Sequence, residues 1–284
     1  MHKWGQACNR GIMWYNCHMA RKPRIYFPTA LYHVILRGNA RQDIFHDDED
    51  RYRFYLLLQE VIERYGYRVH AFCLMSNHVH LAIQVGDVSL SRGLQNLAFR
   101  YTRWVNWRQG RTGHLFQGRY KALLVDADEY LQALVRYIHL NPFRSGLGTN
   151  PVEYRWSSQR AYCGLELIPW LTVEPTLAGF GEKIGQARGR FEKIVMNGVA
   201  EGHCPEFHGA SGNDSRLLGD DDFVESVLAQ TERQKVTRVT AVQLLLAVCT
   251  VYNLADDEIT SGNRAASGAR SMSLNCSQFS RHWL

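Results

Sequence analysis

No stretch of the 284-residue sequence approaches the ~20 consecutive apolar residues that span a bilayer, so no membrane partner is expected. No apolar h-region follows Met1-His2-Lys3-Trp4-Gly5, so a secretory signal peptide is not expected either. Cysteine is sparse: seven residues, scattered and odd in number, with no Cys-x-x-Cys. That usage argues against a disulfide framework or a zinc ribbon, and for reduced thiols in the cytoplasm. Cys204-x-x-x-His208 has no second pair to complete a zinc site. Acid is missing locally. From Val88 to Val125 there is no Asp or Glu, although the same stretch carries Arg92, Arg100, Arg103, Arg108, Arg111, Arg119 and Lys121.

What is present fits a globular protein with an anionic partner. A chain of this length makes one large domain or two smaller ones and easily builds a core. The formal net charge is +6, which favours nucleic acid among possible partners. In the acid-free stretch the cations alternate with Phe99, Tyr101, Trp104, Trp107, Phe116 and Tyr120. Guanidinium groups neutralise phosphates and aromatic rings stack on bases, the profile of single-stranded or hairpin nucleic-acid binding. A solvated helix face over an aromatic core is the alternative.

The element order is legible from periodicity. Leu31 to Asn39 is β-rich and ends at Gly-Asn. Asp47-Asp48-Glu49-Asp50 caps a helix over about 49–65, with Phe54, Leu57, Leu58, Val61 and Ile62 as its buried stripe and Gly66 as its stop. Residues 68–74 and 78–85 read as strands joined by Met75-Ser76-Asn77. A second helix covers about 89–107, a loop marked by Gly110, Gly113 and Gly118 follows, and residues 120–125 are a strand. Asp126 caps a third helix that should end at Asn141-Pro142. The expected fold is therefore α+β: a ferredoxin-like split βαβ with an antiparallel sheet and helices on one face, followed by a small helical C-terminal domain. The expected divisions are 1–18 as a disordered extension, 19–165 as the α+β domain, 166–219 as a linker region holding a domain boundary at about 175–215, and 220–284 as a small helical domain. Within the last, helices are expected from Asp220 to about Gln230 and over 240–252.

The candidate chemistry begins in the third strand. Val79, Leu81, Ile83 and Val85 point one way, and His78, His80, Ala82 and Gln84 the other. Two imidazoles side by side can share a divalent metal ion, or simply form a solvated, hydrogen-bonded pair. In the third helix, Tyr137 and Asn141 are four apart and share a face beside the Leu131, Leu134, Val135, Ile138 stripe. If that helix crosses the open sheet face, Tyr137 and Asn141 approach the histidines. A metal would then polarise a phosphodiester while the phenolate attacks phosphorus. Otherwise Tyr137 is a half-buried aromatic and Asn141 a helix-terminal residue.

Four motifs in order then carry a resemblance: Tyr32-His33-Val34 with Arg37-Gly38-Asn39, Met75-Ser76-Asn77-His78-Val79-His80, Gly113-His114-Leu115-Phe116-Gln117-Gly118-Arg119, and Tyr137-Ile138-His139-Leu140-Asn141-Pro142. Over about residues 19–165 the chain resembles the HUH single-tyrosine (IS200-like) transposases, and within them the REP-associated tyrosine transposases. The resemblance implies that His78 and His80 are metal ligands with Asn141 as the third, that the ion is Mg²⁺ or Mn²⁺, and that Tyr137 is the nucleophile. It implies cleavage of single-stranded DNA at palindromic-repeat hairpins through a 5′-phosphotyrosine, leaving a 3′-OH that can reseal. DNA contacts are expected from Arg37, Asn39, Arg100, Arg103, Arg119 and Lys121, in a monomer or homodimer. The block from Phe223 through Ile259 resembles the start of the helix-turn-helix domain of bacterial replication initiators and departs from it after Arg270. Two other functions stay open on the residues alone: a hairpin binder without cleavage, and a metal-dependent nuclease that uses water.

Overall fold

The computed structural model describes residues 24–148, 150–200, 204–208 and 214–236, with short helical pieces at 246–247 and 249–250. The N-terminal extension, most of the helix expected over 240–252 and the segment beyond it lie outside the described residues. Two compact units are present, Met1–Thr231 and Glu232–Leu284.

The first unit is α+β. Its elements are β1 (Leu31–Arg37), α1 (Asp48–Tyr65), β2 (Arg68–Leu74), β3 (His78–Gln84), α2 (Leu90–Arg108), β4 (Lys121–Val125) and α3 (Ala127–Arg144). After them come α4 (Gln159–Tyr162), α5 (Glu174–Ala178), α6 (Ile184–Asn197) and the short β5 (Leu217–Leu218); α7 (Asp221–Val236) begins in this unit and runs past its last residue. The strand order is β2-β3-β1-β4-β5. The first four strands pair antiparallel, as the split βαβ arrangement requires, and β5 adds a parallel edge, so the five-stranded sheet is mixed.

Local chemistry explains the boundaries. The Asp47 side chain accepts from the Asp50 amide at the start of α1, and Gly66, at φ +65°, closes the helix in the left-handed conformation that costs glycine least. Gly38 ends β1 where the backbone doubles back: a Cβ there would stand 2.0 Å from the Gln42 carbonyl oxygen. The third helix does not stop at Asn141-Pro142. It runs through Pro142 to Arg144, because a proline so near the end gives up a single backbone hydrogen bond and the remaining turn is held by Ser145 N–H on the Asn141 carbonyl.

The sheet has two dissimilar faces. Phe72 of β2 lies opposite Leu81 of β3, and Tyr55 of α1 packs on Phe72 at 6.0 Å between ring centres. So α1 occupies the Val79, Leu81, Ile83 face, and α2 lies beside it with Tyr101 edge-on to Phe54 at 5.0 Å. Helix α3 covers the other face. Of residues 166–219, expected as a linker region, the described parts at 166–200, 204–208 and 214–219 fold onto this body. Leu171 bridges Val69 on the β2 edge, α5 and α6 pack beside α3, and β5 pairs with β4. Both sheet edges are thereby covered by chain that follows α3, which removes two templates for edge-to-edge association.

Candidate active site

Strand register assembles the site. Across β1 and β3, Arg37 faces His78, Ile35 faces His80 and His33 faces Ala82. Directly opposed residues share a face, so His33, Arg37, His78 and His80 point the same way. Lys121 of β4 lies opposite Ile35 and joins them. The His78 and His80 rings stand 4.9 Å apart, and His80 is buried.

Each of the two rings has its Nδ1 beside a hydrogen-bonding group. Asn77 Oδ1 lies 2.6 Å from His78 Nδ1. The orientation of that amide follows from its other end, since Asn77 Nδ2 donates to the Arg41 carbonyl at 3.2 Å. The Asn77 carbonyl accepts from Gly38, so the turn after β1 is tied on both sides to the residue beside His78. Ala40 and Arg41 in that turn hold φ values of 49° and 61°, a left-handed pair that non-glycine residues adopt only when neighbours enforce it. On the other ring, His80 Nδ1 lies 2.9 Å from His33 Nε2, and His33 Nδ1 lies 2.9 Å from the Phe207 carbonyl oxygen.

Helix α3 brings Tyr137 to the same place. Its ring is edge-on to His80 at 5.8 Å and to His33 at 5.5 Å. Phe207 lies over it at 4.9 Å, and the tyrosine is 4% exposed. Burial pushes the phenol up to about 12, against the Arg144 guanidinium and the Asn141 side chain, which favour the phenolate. Arg144 stands 5.2 Å from the ring centre, a position it reaches only because the helix continues past Pro142. Asn141 is buried, and its Nδ2 donates to the Tyr137 carbonyl at 2.9 Å. One of its two N–H groups is thereby used by the helix backbone, and its oxygen is the amide's acceptor atom. Among the described residues no group of three His, Cys, Asp or Glu converges to hold a metal ion, so a three-donor site at His78 and His80 needs a donor of another type.

The expected DNA contacts divide. Arg37 and Lys121 are exposed on the histidine face, and Asn39 and Arg119 are exposed in the loops that follow β1 and precede β4. Arg100 and Arg103 lie on α2, on the far side of the sheet. Arg100 pairs with Glu60 of α1 at 2.6 Å, and Arg103 sits 5.8 Å over Phe99. Arg108 pairs with Asp47 and Asp50. Arg100 and Arg108 of the acid-free stretch therefore meet acids at α1, which the composition of the stretch does not reveal.

Residues 27–141 match the family described as "Transposase IS200 like". Over this segment, which is less than half of the chain, the sequence is similar to the IS200-like transposases. The segment runs from just before β1 to Asn141 and so contains the histidine pair and Tyr137; a domain of this family acts on DNA in transposition. Among solved structures, the segment and its surroundings are similar to a REP-associated tyrosine transposase bound to a REP hairpin. That likeness covers 54% of this chain and 92% of the other, at 16% identity and a TM-score of 0.45. A crystal structure from Deinococcus radiodurans R1, assigned to the transposases, covers 42% of this chain and 94% of its own at 19% identity and a TM-score of 0.31. No curated protein matches the chain. No helix among the described residues is long and apolar enough to cross a membrane.

Three participants in the geometry of the candidate site were not singled out as site residues from sequence: His33, Arg144 and Phe207. His33 had a local signal, a polar ring at an inward position of an otherwise apolar strand. Arg144 was hidden by the expected stop at Pro142. Phe207 had no signal, since its place depends on a segment that returns to the site from far along the chain.

Proposed function

We propose that this chain cleaves and rejoins single-stranded DNA, at hairpins of palindromic repeats, with Tyr137 as nucleophile and a divalent metal at His78, His80 and Asn141. The observation that carries the reading is the approach of the Tyr137 ring to His80, beside His78. Mg²⁺ or Mn²⁺ would find its oxygen donors in the Asn141 amide and in the phosphates of bound DNA, and because two neutral imidazoles and an amide carry no charge, those phosphates would also neutralise the ion. Bound there, the ion supplies Lewis-acid polarisation of the phosphodiester.

The rest is the work of the chain. The Tyr137 Oη attacks phosphorus, its bond to phosphorus forms, and the bond from phosphorus to the 3′ oxygen breaks. The phenolic proton leaves Oη and the departing 3′ oxygen takes one up. The product is a 5′-phosphotyrosine and a free 3′-OH, and the reverse attack reseals the strand. Arg144, already favouring the phenolate, stabilises negative charge at this ring. Arg37, Asn39, Arg119 and Lys121 would hold the flanking phosphates. Arg100 and Arg103 would take part only if DNA wraps to the α2 side. The protein would act in the cytoplasm, as a monomer or homodimer.

The burial of Tyr137 under Phe207 favours a second reading, a hairpin binder that does not cleave. One experiment separates them. Incubating the chain with a single-stranded hairpin oligonucleotide and Mg²⁺ should give a denaturation-resistant adduct that Tyr137→Phe abolishes. Binding with no adduct would favour the binder, and cleavage surviving Tyr137→Phe would favour a water nuclease.

A further inference from the structure

His33 is buried in the middle of β1 and has a partner on each ring nitrogen. A carbonyl oxygen can only accept, so the contact of His33 Nδ1 with the Phe207 carbonyl at 2.9 Å places a hydrogen on that nitrogen. In the neutral ring Nε2 is then the acceptor. It faces His80 Nδ1 at 2.9 Å, which must therefore carry the hydrogen of that bond. A neutral imidazole has one N–H and one lone pair, so His80 keeps its lone pair on Nε2. Ring geometry agrees. The two planes differ by 14° and the centres are 5.2 Å apart, about the sum of two ring radii and one N–H···N bond. The rings meet edge to edge, in the direction along which such a bond is strongest.

We infer that His33 is a positioning residue: it locks the His80 ring in the tautomer that presents Nε2 as a metal-ligating lone pair, anchored in turn by the Phe207 carbonyl. This rests on the metal reading proposed above. The two histidines of the pair are then set by different devices. For His78 the acceptor is the amide of Asn77, next to it in sequence. For His80 it is a ring on the neighbouring strand, with a backbone carbonyl behind it. Outer partners of this kind orient a ligand and raise its basicity, and their loss typically weakens metal binding about 10–100-fold.

The test uses the full chain with ¹⁵N-labelled histidine. Long-range ¹H–¹⁵N spectra without metal report which nitrogen of each ring bears hydrogen, and Mn²⁺ titration reports affinity. The wild type should show His80 protonated at Nδ1. His33→Phe removes both hydrogen bonds at similar size. It should release His80 to a mixture of tautomers and weaken Mn²⁺ binding about 10–100-fold. His33→Gln offers an amide whose oxygen can accept from His80 and whose nitrogen can donate to Phe207, and it should restore both readouts to within a few-fold of wild type. Should His33→Phe fail to fold, the wild-type tautomer and the His33→Gln variant still decide. A wild-type His80 bearing its hydrogen on Nε2 would overturn the inference, as would a folded His33→Phe with unchanged tautomer and affinity. A wild type that binds no Mn²⁺ yet shows the Nδ1–H tautomer would overturn the metal reading while supporting the hold of His33 on His80.

Discussion

Strand β3 serves both faces of the molecule with alternate residues. Val79, Leu81 and Ile83 are fully buried against α1 and α2, where burial of each side chain is worth about 1.5–3 kcal/mol. His78 and His80, one residue out of phase, share their face with His33, Arg37, Lys121 and, from α3, Tyr137. The first face is held by buried contact area and close packing, which carry no directional bond. The second is held by directional hydrogen bonds, and its geometry fails if one partner is lost. One strand can carry both because the pleat separates them completely.

The contrast can be tested by substitutions that affect one face and leave the other in place. The largest effect is expected from Tyr137→Phe, which should abolish the covalent DNA adduct on denaturing gels and leave hairpin affinity near wild type. On the other face, Leu81→Ala should cost about 2–5 kcal/mol in denaturant melts, since it opens a cavity in a fully buried site. The folded fraction should still form the adduct. If Leu81→Ala removed adduct formation without loss of stability, the two faces would not be separable.

Charge gives the next contrast. Arg37→Ala and Lys121→Ala lie on the histidine face and should each lower hairpin affinity and reduce the slope of log affinity against log salt by about 1. Arg103→Ala, on α2, should change neither in binding titrations. Equal losses from all three would mean that DNA contacts both sides of the sheet.

The smallest expected effect is one of pH. Tyr55 and Tyr67, against the packed face, are both pushed up to about 12, chiefly by burial. A raised folded-state value stabilises the fold at pH values below the unfolded value of about 10, and that stability is lost as pH rises through the folded value. Denaturant melts should therefore be flat with respect to these groups up to about pH 10 and fall between pH 10 and 12. Tyr55→Phe should make the fall shallower, with little change at neutral pH.

Much of the site was legible because its parts are local patterns. The alternation from His78 to Gln84, the Tyr137/Asn141 spacing and the caps at Asp47 and Asp126 all depend on neighbours within one or two turns. The end of α3 was misread because a proline stop is a local rule, and near a helix terminus the energy it forfeits is a single bond. The chain over 166–219 looked like a linker because its apolar residues are spaced for short, separate contacts: Leu171 on an edge, Leu217 and Leu218 on β4, Phe207 on Tyr137.

By itself the sequence determined the order of elements, which face of β3 is apolar, and that two histidines, a tyrosine and an asparagine stand at spacings that can serve one centre. Only the tertiary structure decided that α3 lies across the histidine face, and that Arg100 and Arg108 of α2 meet acids at α1. It alone decided that His33 reaches His80 across 47 residues and Phe207 across 174. The physical reason is one of range. Caps, turns and periodicity are set by interactions within a few residues, whereas a hydrogen bond between strands exists only once register is fixed, and register is fixed by the packing of the whole sheet.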